Sequence, residues 1–124
     1  MFVMPHGLTV DQDDNVWLTD VGLHQVFKFS PDGRLLLKLG EAGTPGADAS
    51  HFNRPTDVAV LKDGSFVVSD GYKNTRVAKF LTRFGRFGNY DGQFRIAHDI
   101  AVGADGAVYV VDALGQRIQK FVPR

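Results

Sequence analysis

A chain of 124 residues, 44% hydrophobic and 23% charged, is long enough for one globular core. Lys and Arg together number 14 and so do Asp and Glu, so no net field draws the protein toward nucleic acid or anionic lipid. The lack of cysteine excludes a disulfide framework and a thiolate metal site, and no stretch approaches the ~20 apolar residues of a membrane helix. The N-terminal MFVMPHG has no basic region followed by a long apolar core, so no signal peptide is expected there, and localisation stays open.

In chain order, PHGLTV, NVWLTD and HQVFKF read as three short strands, with RLLLKLG as a fourth. After the linker EAGTPGADASHFN the pattern returns as PTDVAV, SFVVSD and TRVAKF, with a poor fourth strand at RFGRFG. It returns again as AHDIAV, AVYVVD and RIQKF, with no fourth strand. Asp20, Asp70 and Asp112 close the middle strands, and Phe29, Phe80 and Phe121 close the third ones. The Asp spacings of 50 and 42 residues suit propeller blades or helical arrays, and the local pattern decides for blades. Turn signals QDDN, SPDG, LKDG and GADG separate β-branched and aromatic runs, and Asp-Gly supplies the positive φ of tight hairpins.

The first strands, LTV, VAV and IAV, read as buried on both faces. In HQVFKF, Val26 with either Phe27 or Phe29 is expected inside, and Gln25 and Lys28 in water. The expected fold is therefore all-β, a propeller of about three four-stranded blades spanning roughly 4–40, 54–88 and 96–124 in one domain or partial domain. Three blades are fewer than the roughly four to eight that close a propeller. Either the chain is part of a longer propeller, or two copies form a homodimer with six blades, in which MFVM supplies a missing outer strand. A six-blade ring is the favoured arrangement.

The combination PHGLTVD, DVGLHQVFKF, HF-x-RPTDVAV and SDGY-x-N resembles the NHL-repeat six-bladed propeller of the peptidyl-α-hydroxyglycine α-amidating lyase family, densely over residues 4–80 and more loosely over 94–121. The resemblance implies cleavage of a peptide-like substrate, peptidyl-α-hydroxyglycine, to an amidated peptide and glyoxylate. It also implies zinc on the propeller axis, held by three histidines at the entries of first strands. His6 of the first repeat and His98 of the third stand at two such positions, and Thr56 stands at the equivalent position of the second repeat. First strands line one channel, so such residues converge, and a catalytic zinc keeps three protein ligands with one open position. The third ligand must then come from another blade. His24 and His51 read as structural.

Tyr72 of SDGYKN matches the family's catalytic tyrosine. A tyrosine, with an ordinary pKa near 10, serves as a base only where a metal or cation lowers it. If AHDI corresponds to the family's last blade, Asp99 with the backbone carbonyl of Leu8 fits its structural calcium site. In the other registration Ala113 stands where the family has an arginine, and Arg117 does not replace it. The family's paired HFC and GYC cysteines are here Asn53 and Lys73. The family is often secreted or found in the secretory pathway. A different class of function is a non-catalytic NHL propeller that binds protein or RNA, with the basic stretch Lys73, Arg76, Lys79, Arg83, Arg86 and Arg95 as its footprint. An inert fragment is the third reading, and a membrane partner is not expected.

Overall fold

The computed structural model describes residues 1–79 and 82–123, the side chains of Thr82 and Arg83 excepted, so the strand-closing Phe80 lies outside the described residues. Eleven strands are described, and no helix is found among those residues. They form three antiparallel sheets in strict sequence order. The first holds β1 (Pro5–Val10), β2 (Val16–Asp20), β3 (Gln25–Phe29) and β4 (Leu35–Leu39). The second holds β5 (Asp57–Val60), β6 (Phe66–Asp70), β7 (Arg76–Lys79) and β8 (Thr82–Phe84). The third holds β9 (Ala97–Val102), β10 (Val108–Asp112) and β11 (Arg117–Phe121), with no fourth strand among the described residues.

Local chemistry sets these hairpins. The Asp-Gly turns place Gly33, Gly64 and Gly106 at φ of 87°, 83° and 79°. His24, Thr75 and Gln116, all at the same repeat position just before the third strand, adopt φ of 59°, 49° and 54°. Such angles are uncommon for non-glycine residues, so their recurrence marks one turn built three times.

The core lies between the sheets. Trp17 and Val26 of the first pack on Val58 and Val68 of the second, with Phe52 closing the seam. Ala59, Val67 and Val77 of the second pack on Phe94, Ala97, Ile100 and Val110 on the third side. First strands buried on both faces are found only in the middle blade. β5 is buried, whereas Leu8 and Val10 of β1 and Ala101 of β9 are exposed, because the outer blades each lack one neighbour. In β3, Val26 and Phe27 are buried and Phe29 is half-buried. Gln25 is buried rather than wet, because its side-chain amide donates to the Gly40 carbonyl at 3.0 Å. Lys28 is half-buried, its ammonium over the Trp17 ring and 3.7 Å from Asp11. Residues 1–4 form no outer strand in this chain. Phe2 instead stands edge-on to Phe27 and Phe29 of blade one.

Candidate functional site

Side by side, β1, β5 and β9 bring the entries of the three blades together, and β6 ends beside β9. At Gly71, just past β6, a Cβ would lie 1.5 Å from the Ala97 carbonyl oxygen, so only glycine permits this approach. The next residue, Tyr72, is carried over the entries of the first strands. Its hydroxyl lies 3.1 Å from His6 Nε2 and 3.0 Å from His98 Nε2. The two imidazoles are 5.1 Å apart, and each meets the phenol ring edge-on. The chain thus gathers His6, Tyr72 and His98 from three blades.

The hydrogen-bond directions follow from donor and acceptor counts. A carbonyl only accepts, so His6 Nδ1, 2.8 Å from the Thr56 oxygen, carries the proton. In the neutral ring His6 Nε2 then holds a lone pair and accepts the Tyr72 hydroxyl. The phenol has one hydrogen, so His98 Nε2 donates to the phenol oxygen in turn. This carbonyl-oriented imidazole is the usual arrangement of a metal-ligating histidine. His6 fits a metal at Nε2 where the ion takes the place of the Tyr72 hydroxyl, and His98 fits in the tautomer with its proton on Nδ1. No group of three His, Cys, Asp or Glu side chains suited to a metal occurs among the described residues.

The Asp99 and Asp57 carboxyl groups are neighbours, both within reach of the Ile100 N–H. Burial, then the neighbouring Asp99 carboxyl, pushes Asp57 up to about 7. The residue code at Asp57 gave no hint of this, since its partner is 42 residues away and the seam between blades joins them. Leu8 pairs with Leu18 in the β1–β2 ladder, its side chain exposed.

His24 accepts the Arg54 backbone N–H at 3.1 Å, and burial lowers its pKa. His51 sits between Asp48 and Glu41 in the linker, and both carboxylates raise its pKa, Asp48 more strongly. Ala113 is exposed, its N–H bonded to the Ile96 carbonyl. Arg117 is tied to Asp112 and to the carbonyls of Asn89, Tyr90 and Gln93. The basic stretch is not one surface. Arg76 is buried against Asp70, Arg95 lies over Phe87, and the Arg83 side chain lies outside the described residues.

The NHL repeat family matches residues 2–29 and 52–80. Among curated proteins, the chain is 40% identical to a probable peptidyl-α-hydroxyglycine α-amidating lyase of Caenorhabditis elegans, over 98% of this chain and 37% of that protein. It is 52% identical to peptidyl-α-hydroxyglycine α-amidating lyase 1 of Drosophila melanogaster, over 81% of this chain and 19% of that protein. It is 44% identical to peptidyl-glycine α-amidating monooxygenase B of Xenopus laevis, over 98% of this chain and 15% of that protein. The chain therefore spans well under half the length of these relatives.

Two solved structures share the fold. One is a Bacteroides thetaiotaomicron protein of unknown function, with TM-score 0.78 and 23% identity over 95% of this chain and 34% of that one. The other is virginiamycin B lyase from Staphylococcus aureus, with TM-score 0.64 and 16% identity over 97% of this chain and 41% of that one. By fold the chain is a set of NHL propeller blades, and by sequence it is a relative of the peptidyl-α-hydroxyglycine α-amidating lyases.

Proposed function

We propose that these blades carry part of the active centre of a carbon–nitrogen lyase that splits peptidyl-α-hydroxyglycine into an amidated peptide and glyoxylate. The observation that carries this reading is the Tyr72 hydroxyl held between His6 Nε2 and His98 Nε2, in a chain 40–52% identical to amidating lyases. Zinc bound by the two Nε2 atoms would act as a Lewis acid on the substrate hydroxyl and ease loss of its proton.

The chain's own part is positioning and proton movement. Thr56 fixes His6 through its carbonyl, and Gly71 lets Tyr72 reach the site. Tyr72 in its phenolate form takes the α-hydroxyl proton as the carbonyl forms and returns that same proton to the amide nitrogen as the C–N bond breaks. No atom is gained or lost overall. A third zinc ligand comes from outside these three blades, and in a homodimeric six-blade ring a second copy supplies it. A structural calcium held by Asp99 and the Leu8 carbonyl belongs to the same reading.

The test is turnover of a peptide ending in α-hydroxyglycine by the zinc-supplemented protein, with glyoxylate as the readout. Tyr72→Phe should lower kcat by about 10²-fold or more while leaving bound zinc unchanged. Glyoxylate release by Tyr72→Phe at the parent rate, or none by the parent at its assembled mass, overturns the reading.

A further inference from the structure

Thr56 occupies the repeat position that holds His6 in the first blade and His98 in the third. It is fully buried, and it touches the framework of both imidazoles. Its carbonyl oxygen takes the His6 Nδ1 proton at 2.8 Å and the Thr19 hydroxyl proton at 2.9 Å, which uses both lone pairs. The Thr19 oxygen in turn accepts the N–H of Gly7, the residue after His6, at 2.8 Å.

The Thr56 hydroxyl faces the other way. It lies 2.9 Å from the Ala97 carbonyl, 2.9 Å from the Ser69 carbonyl and 2.7 Å from the Ser69 hydroxyl. The Ser69 carbonyl already accepts the Thr56 N–H at 2.7 Å. The Ser69 hydroxyl can donate to Thr56 or, at 3.3 Å, to the Asp57 carbonyl, and the bond by which the Thr56 hydroxyl reaches the third blade is the one to the Ala97 oxygen. Ala97 precedes His98, and its oxygen is the atom that Gly71 meets at close range.

We propose that Thr56 is a positioning residue that sets the two imidazoles on one centre. Its carbonyl selects the His6 tautomer with a free Nε2 lone pair, and its hydroxyl anchors the strand entry that carries His98. The middle blade thus spends its His-equivalent position on holding the ligands of its neighbours. This inference rests on the metal reading above for its role in zinc affinity, but the tautomer and anchoring claims stand on the chain alone.

Imidazole ¹⁵N spectra of the metal-free full chain and calorimetric titration with Zn²⁺ test it, on the parent, Thr56→Val and Thr56→Ser. The parent should show His6 protonated at Nδ1 and bare at Nε2. Thr56→Val keeps the carbonyl and the side-chain volume but loses the hydroxyl. It should shift the His98 ¹⁵N resonances and weaken Zn²⁺ binding by about 10–100-fold, as loss of an outer-shell partner does. Thr56→Ser should restore both.

Thr56→Val with parental His98 resonances overturns the anchoring role, as does Thr56→Ser failing to restore them. If Thr56→Val does not fold, the parent still decides, because a His6 protonated at Nε2 overturns the carbonyl's role. A parent that binds no Zn²⁺ sinks the metal reading alone, and the ¹⁵N comparison continues to decide on Thr56.

Discussion

Asp57 at the start of β5 and Asp99 within β9 hold their carboxyl groups together across the seam between the second and third blades. The Ile100 N–H donates to Asp99 at 2.9 Å and lies 3.4 Å from Asp57, so one amide serves both side chains. Two carboxylates so placed resist simultaneous ionisation, and burial acts in the same direction. Asp57 is raised to about 7, whereas an unfolded aspartate titrates near 3.9.

The pair therefore makes stability fall with pH. Below about pH 4 both states hold the proton and the contribution is full. As pH rises toward 7 the unfolded chain releases a proton that the folded chain keeps, and the contribution is lost through the folded pKa. Asp57→Asn should flatten this slope and stabilise the protein at pH 8 by an amount on the order of 1–3 kcal/mol. Urea unfolding of parent and variant at pH 5 and pH 8 checks it. Equal slopes in the two proteins would show that the carboxyls do not share a proton.

Asp70 and Asp112 end their strands in the same way but stand in different surroundings. Asp70 is fully buried and joins the Asn53 N–H, Asn74 and the buried Arg76 guanidinium, which also reaches the carbonyls of Ala47 and His51. Asp112 receives the N–H groups of Arg95, Ile96 and Gly115, while its partner Arg117 is a quarter exposed. Removing one partner of a buried pair strands the other charge. Asp70→Ala should cost about 3–5 kcal/mol, whereas Arg117→Ala removes a cation that is a quarter exposed and leaves Asp112 its three backbone N–H donors, so it should cost less, about 1–3 kcal/mol. Denaturant midpoints of the two variants give the comparison. Similar losses would mean that burial does not separate the two pairs.

Strand order and blade repeat were legible because β-branched runs and Asp-Gly turns act locally, within a single hairpin. His6, Tyr72 and His98 were legible through their motifs, and the shared channel explains why residues 66 and 26 positions apart meet. The Asp57–Asp99 pair and the role of Thr56 were not legible, since both depend on how one blade is set against the next. Gln25 misled for the same reason. Its alternation predicted water, and the Gly40 carbonyl gave it a buried partner.

Leu8 and Ile118 show what the outer blades lack. Ile118 is 69% exposed, while Val77 and Val26 at the same repeat position are fully buried between blades. Leu8 is 64% exposed, while its counterpart Val58 is 1% exposed. If a second copy closes the ring through these faces, the parent chain sediments at twice the mass of one chain. Ile118→Lys should then sediment as a single chain with stability changed by less than about 0.5 kcal/mol, as expected for a surface position. A parent that sediments as one chain at all concentrations rules out closure by a second copy.

Phe2, Phe52 and Phe94 stand four residues before His6, Thr56 and His98 respectively, a spacing visible in the sequence. The three occupy one repeat position and three environments. Phe94 is fully buried against Phe121 and the second blade, Phe52 is 9% exposed in the first seam, and Phe2 is 41% exposed on the outer face of blade one. A phenylalanine that wedges between two blades loses its burial and leaves a cavity when truncated, typically costing about 3–5 kcal/mol. Phe94→Ala should reach that range, Phe52→Ala should fall slightly below it, and Phe2→Ala should cost about 1 kcal/mol, because only one blade lies beneath it. Thermal unfolding of the three variants ranks them. A loss at Phe2 as large as at Phe94 would mean that the outer face of blade one is already covered by a partner.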